Sequence, residues 1–220
     1  MFSFPHPLYS IVDTLSDPKL SYVGLAQAML DAGVRLLQLR VKDQSTGRFV
    51  EIARAVKAAA DGAQAQLIIN DRADIAKLID AAGVHLGQED LPVAAAREIL
   101  GPTRIIGFST HNVAQAEAAS REGIADYIGF GPIYPTTSKQ RPDPVQGLDH
   151  LRQIRSRVTL PIVAIGGITA KTMPEVLSAG ADAVAMISEI VRADDVSTKV
   201  RALLELATAS QGRAHPIPKG

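Results

Sequence analysis

Arg40 and Lys42 stand two residues apart where a leucine-rich run, Leu36 to Arg40, comes to an end. In extended backbone, residues i and i+2 share a face, so both cations point the same way and Gln38 joins them. An isolated pair of this kind reads as solvated rim charge. Two carboxylates alter the balance. Asp71 follows the run Leu67 to Asn70 and Asp90 follows the run Val84 to Leu86. Adjacent strands lie about 4.8 Å apart, so both carboxylates could reach one cation. An oxygen-only ligand set suits magnesium, which is usually held by one or two carboxylates and completed by water and substrate phosphate. A diphosphate bridging magnesium, Arg40 and Lys42 is the chemistry this set allows. Each carboxylate taken singly also reads as a helix cap, Asp71 ahead of Arg72 and Asp90 ahead of Leu91 and Pro92.

A second set of residues suggests a second anion. AIGGIT at 164–169 and AMIS at 185–188 each follow an apolar run and are expected to lead into a helix whose first amides are unpaired. Gly167 permits close backbone approach, and the amides around Ile187 and Ser188 favour negative charge, so a phosphate monoester is the natural guest. The plainer reading is a tight turn and an N-cap. The proline- and hydroxyl-rich segment 131–147 is long enough to be a functional loop, with Thr136, Thr137 and Ser138 offering hydroxyls and amides and Lys139 a third cation. His111, beside Ser109, either faces a ligand or caps the next helix. His85, inside a strand, reads as a packed structural residue.

The elements that must position these groups alternate. Strands are predicted at 8–12, 36–40, 67–70, 84–86, 104–108, 126–130, 161–165 and 183–187, where short β-branched or leucine-rich runs recur. Alanine-rich segments with helical periodicity lie between and after them, near 22–32, 46–61, 72–82, 92–100, 112–122, 147–157, 171–179 and 189–206. Gly33, Gly83, Gly123 and Gly180 sit where helices should close on a left-handed residue. Eight such units make either a doubly wound open sheet or a closed barrel. An open sheet concentrates its chemistry at one switch point, whereas a barrel gathers every βα loop at one mouth. Here the polar motifs follow seven different strands, so the fold class expected is α/β, a single (β/α)8 TIM barrel of eight parallel strands. It should occupy residues 1–206 as one domain, with 207–220 a disordered tail.

Composition narrows the function. Of 220 residues, 46% are hydrophobic and 21% charged, and 23 basic residues balance 23 acidic ones. That suits a globular chain and argues against a broad nucleic-acid surface. The absence of cysteine excludes disulfides, thiolate metal sites and a cysteine nucleophile. The amino-terminal MFSFPHPLYSIVD lacks the features of a signal peptide and nowhere do eighteen apolar residues run together, so a cytoplasmic protein with no membrane partner is expected. The partners expected are small phosphorylated molecules, with a homo-oligomer left open. Paired histidines, a serine elbow and a Walker-type loop are all missing.

Taken together, QLRVKD, IINDRADIA, GVHLGQEDLP, IGFSTHN, DYIGFGPIYPTTSK, PIVAIGGIT and GADAVAMIS resemble the thiamine phosphate synthase family over residues 8–190. The resemblance implies a pyrimidine diphosphate contacted by Gln38, Leu39, Arg40, Val41, Lys42, Asn70, Ser109 and Lys139, with magnesium on Asp71 and Asp90. It implies a thiazole phosphate, or its carboxylated form, held by Thr136, Thr137, Ser138, Gly167, Ile187 and Ser188. Diphosphate would leave the pyrimidine methylene and the thiazole nitrogen would capture the resulting cation. Arg40, Lys42 and Lys139 would serve that step electrostatically, without a general base. Ser138, where the family usually has threonine, and Val41, where an acidic residue is common, depart from the pattern. The alternative is a thiazole tautomerase-like paralogue using His111, a proton-transfer enzyme that needs neither diphosphate nor metal. A non-catalytic phosphate sensor and a sugar-phosphate isomerase are more distant readings.

Overall fold

The structure, a computed structural model, describes residues 2–13, 20–136 and 144–211. Eight parallel strands close on themselves in sequence order: β1 Leu8–Val12, β2 Leu36–Leu39, β3 Gln66–Asn70, β4 Gly83–Leu86, β5 Ile105–Thr110, β6 Tyr127–Phe130, β7 Ile162–Ile165 and β8 Ala183–Met186. The seam is β1 against β8, with Leu8 opposite Val184 and Ser10 opposite Met186. Among the described residues the helices are α1 Tyr22–Asp31, α2 Thr46–Gly62, α3 Ala73–Leu78, α4 Val93–Leu100, α5 Val113–Glu122, α6 Gly147–Arg155, α7 Met173–Ser178, α8 Ser188–Val191 and α9 Val196–Gln211. The expected barrel is therefore the fold.

Strand alternation divides the apolar residues between two cores. Outward-facing Leu37, Leu39, Leu67, Ile69, Val84, Leu86 and Ile106 join the helices in the larger one. Inward-facing Tyr9, Ile11, Leu36, Ile68, Tyr127, Val163, Ala183 and Ala185 fill the barrel. Phe2 and Phe4 pack against that inner core, with Phe4 5.3 Å from the Tyr127 ring and 6.0 Å from Tyr9. The amino-terminal segment thus abuts the barrel interior from below, and the cavity described next belongs to the opposite, carboxyl end of the strands.

Three local expectations change. The helix expected over 189–206 is two helices, α8 and α9, because Asp195 turns the chain into a new helix start, accepting from Thr198 N at 3.0 Å. The tail expected from 207 is still helix as far as Gln211, with Ala207 and Ser210 buried and the Ser210 hydroxyl bonded to Leu206 O at 2.8 Å. Residues 212–220 lie outside the described residues. Gly83 is not a helix cap but lies inside β4, where any Cβ would run into the Ile105 carbonyl, while Asp80, with φ 57°, makes the left-handed turn. Gly33, Gly123 and Gly180 do take positive φ, at 106°, 65° and 113°.

Candidate active site

A cavity of about 150 Å³ opens at the carboxyl ends of the strands. Its walls come from residues on all eight strands and the turns after them, because inward side chains from each strand converge there. Gln38, Arg40, Asn70 and Ser109 line it from the side of β2, β3 and β5; Thr136, Gly167, Ile187 and Ser188 line it from the turns after β6, β7 and β8. Eight of the residues expected to contact the two phosphorylated ligands therefore share one space.

On the first side the groups are charged and carried by side chains. Arg40 Nη1 donates to Asp13, a 5% exposed carboxylate just beyond β1. Lys42 Nζ donates to Asp71 Oδ2 at 2.5 Å, with the lysine half-exposed at the rim outside the cavity lining. Asp71 is held in the left-handed region at φ 65°, its amide bonded to His85 O at 2.8 Å. Neither Asp71 nor Asp90 is a cap: α3 starts after Arg72 and α4 after Pro92, both without a side-chain cap. Asp90 Oδ2 instead accepts from Gly87 N at 2.6 Å. Burial pushes the Asp90 carboxyl above the usual carboxylate range, the Gly87 amide pulls it back, and the adjoining Asp71 raises it further.

Those two carboxylates are thus neighbours, and their donor set fits a divalent cation that keeps most of its shell for water and phosphate. Among the described residues no group of three or more histidine, cysteine or carboxylate side chains could hold a metal.

On the second side the groups are main-chain and neutral. Gly166 and Gly167 take φ 99° and 63°, and a Cβ on Gly167 would sit 2.8 Å from Tyr134 Cβ. Only glycine lets the backbone bend there and meet the β6 loop closely. The turn after β7 does not lead straight into a helix, since α7 begins at Met173; the glycine turn itself lines the cavity. After β8 the helix does follow at once, α8 opening on Ser188. Tyr134 OH donates to Glu175 Oε1 at 2.5 Å, tying the β6 loop to α7, and burial with that carboxylate pushes the phenol up to about 12.

Two expected contacts take a different form. Leu39 and Val41 point away from the cavity into the outer core, 0% and 8% exposed, because alternation sends every second side chain of β2 outward. Only their main chain could serve a ligand. Thr137, Ser138 and Lys139 lie outside the described residues. His111 lines the cavity, with Nδ1 3.3 Å from Gly131 O, while Asn112 caps α5 by accepting from Gln115 N at 2.9 Å. The cap role falls to its neighbour.

Sequence reasoning passed over Asp13, Tyr9 and Tyr127, and read His85 as structural only. Asp13 orients Arg40, and Tyr9, Tyr127 and His85 line the cavity and bond to one another or to Gln38 and Ser109. A polar atom on an inward strand position was the available signal: an aromatic there reads as core unless its hydroxyl is given a partner.

The thiamine monophosphate synthase family profile matches residues 8–190. The thiamine-phosphate synthase of Chloroflexus aurantiacus is 42% identical over 207 residues, covering 94% of this chain and 95% of that protein. The thiamine-phosphate synthase of Enterococcus faecalis is 45% identical over 175 residues, covering 80% of this chain and 82% of that protein. Among solved structures, thiamine phosphate pyrophosphorylase from Pyrococcus furiosus superposes with a TM-score of 0.82 at 35% identity, covering 92% of this chain and 96% of its own. The motifs at the strand ends, the barrel that gathers them and relatives matched along nearly their whole length agree: the chain belongs to the thiamine monophosphate synthase family.

Proposed function

We propose that the protein is a transferase that joins a pyrimidine carrying a methylene diphosphate to a thiazole carrying a phosphate, giving thiamine phosphate and diphosphate. The single observation that carries this reading is that one cavity is bordered by a charged wall and a main-chain wall, each suited to a different phosphorylated partner. Similarity to synthases along nearly the full chain supports the same assignment.

Bond by bond, the carbon–oxygen bond between the pyrimidine methylene and the diphosphate breaks, and its electron pair leaves with the diphosphate. A bond then forms between that methylene carbon and the thiazole ring nitrogen, whose lone pair supplies the electrons. The leaving diphosphate lies against Arg40, Asn70 and Lys42, with Lys139 as a third cation. Arg40, held by Asp13, and Lys42, held by Asp71, are pre-aimed cations that stabilise charge as it develops and need no reorganisation at that moment. Gln38 and Ser109 flank the pyrimidine. Gly167, Ile187 and Ser188, with Thr136 and the adjoining Thr137 and Ser138, cradle the thiazole phosphate and point the ring nitrogen at the carbocation.

Asp71 and Asp90 would hold magnesium, which when bound neutralises diphosphate oxygens and lowers the barrier to their departure. No base enters the scheme, because the thiazole nitrogen attacks without losing a proton. His111 would be needed by a tautomerase. Such an enzyme has no use for Arg40, Lys42, Asp71 and Asp90 together, and the relatives reported above carry synthase names. The same reading makes the protein a cytoplasmic biosynthetic enzyme; among the described residues no helix is long and apolar enough to cross a membrane.

The decisive assay mixes purified protein with both phosphorylated substrates, with and without magnesium, and follows diphosphate and thiamine phosphate together. Stoichiometric appearance of both, dependent on magnesium, is expected. Diphosphate release without thiamine phosphate, or no reaction with either, overturns the assignment.

A further inference from the structure

Beneath the cavity five side chains from five strands form one hydrogen-bond chain. Gln38 Nε2 donates to the Tyr9 hydroxyl at 3.0 Å, and the Tyr9 and Tyr127 hydroxyls lie 2.6 Å apart. The Tyr127 hydroxyl is 3.0 Å from His85 Nδ1, and His85 Nε2 is 2.9 Å from Ser109 Oγ. Room for it is built into the strands: a Cβ on Gly107 would collide with the Tyr127 ring and lie 2.5 Å from His85 Nδ1, and one on Gly129 would lie 3.1 Å from His85 Cε1. Both phenols are completely buried, which raises both above the ordinary tyrosine value, Tyr9 to about 12, so they keep their protons.

Each phenol has one proton, Tyr9 faces Gln38 and Tyr127, and Tyr127 faces Tyr9, His85 and the Gln38 amide, so the chain can run in only one sense once the Gln38 end is fixed. Gln38 Nε2 cannot accept, and Tyr9 must therefore give its proton to Tyr127. Tyr127 must give its proton to His85 Nδ1, which leaves the histidine proton on Nε2. That proton goes to Ser109 Oγ, and the serine proton is left for the cavity. At the other end the Gln38 amide nitrogen donates to Tyr9 and Tyr127, which leaves its carbonyl Oε1 to accept.

We propose that Tyr9, Tyr127 and His85 are positioning residues that fix the polarity of the cavity walls, presenting an acceptor at Gln38 and a donor at Ser109. This deepens the assignment above and rests on it for the identity of the ligand. The pattern is complementary to an amino-substituted heteroaromatic ring, whose amine N–H reaches Gln38 Oε1 and whose ring nitrogen accepts from Ser109. It opposes an oxo-substituted ring of the same shape, which offers a carbonyl and a ring N–H in their place. A site built around buried hydrogen bonds rejects such a mismatch strongly, because its own polar groups are left unpaired.

The test combines a direct and a functional readout. Nitrogen-15 NMR of histidine-labelled protein reports which ring nitrogen of His85 carries the proton, and Nε2–H is expected. The ratio of kcat/KM for the amino-pyrimidine diphosphate over its oxo analogue should be about 100-fold or more in the wild type and fall below about 10-fold in Tyr127→Phe. KM for the thiazole phosphate should stay within about twofold, a split that general loosening of the barrel would not give. Tyr9→Phe, which cuts the chain one link earlier, provides the same comparison if Tyr127→Phe does not fold. An Nδ1–H tautomer in the wild type, or undiminished discrimination in a folded variant, overturns the proposal. If the wild type turns over neither ring, the synthase assignment fails, and the His85 tautomer still decides the chain's polarity.

Discussion

The two walls of the mouth are built on opposite plans. The wall from β2 to β4 places Arg40 and Lys42 on charged partners, Asp13 and Asp71, so its function resides in side chains. The wall from β7 to β8 relies on the Gly166–Gly167 turn and the backbone around Ile187 and Ser188, so its function resides in main chain. In the proposed reaction a side-chain wall would concentrate charge where the diphosphate develops it, and it is open to single substitutions. In the proposed reaction a main-chain wall would hold the phosphate whose charge hardly changes, and it is vulnerable only where backbone geometry depends on one residue.

Breaking the charged wall should cost most. Arg40→Ala is expected to lower kcat about 100-fold or more in the coupled diphosphate assay, as loss of a donor aimed at developing charge does elsewhere. Unchanged turnover would remove the electrostatic account of the step. Asp90→Asn should come next: a titration of activity against magnesium should show the half-saturating concentration raised about 10-fold or more, with turnover partly restored at high metal. A variant whose metal requirement matches the wild type would separate Asp90 from the metal site.

On the main-chain wall, Gly167→Ala is the sharp test, because φ 63° disfavours a side chain and the Tyr134 backbone stands in its way. KM for the thiazole phosphate should rise about 10-fold, and unfolding should be easier by about 1–2 kcal/mol. Ser188→Ala should be the mildest, a rise in that KM of roughly 2- to 5-fold, since the amides remain. If Ser188→Ala proves as damaging as Arg40→Ala, the contrast between the walls is wrong. Ionic strength gives an independent check: raising salt should weaken the pyrimidine diphosphate more than the thiazole phosphate, because exposed Lys42 is screened and main-chain dipoles far less so.

Legibility in the sequence followed the same division. Strand β1 was read to the residue at Leu8–Val12, and the other strands were located to within a residue or two, because apolar runs between glycine stops carry a local signal. Arg40 was found at a strand end for the same reason, whereas Asn70 and Ser109 came from the family resemblance. The α8–α9 break was missed, although Asp195 ahead of Thr198 is the kind of polar start that marks a new helix. Tyr9 and Tyr127 were missed because an aromatic on a buried strand reads as core, and its partner stands 118 residues away. Asp13 was missed because its partner Arg40 stands 27 residues on.

Period, turn chemistry and composition are written locally, so the sequence by itself determined an alternating chain of strands and helices with its reactive residues at the strands' carboxyl ends. Tertiary structure alone decided which of those residues meet. Closing β1 on β8 brings Tyr9 to Tyr127, and it turns Gln38 and Arg40 inward while sending Leu39 and Val41 outward. Closure is a long-range event: the face each strand gives to the interior, and the partner each polar atom finds there, are fixed by register between strands distant in the chain.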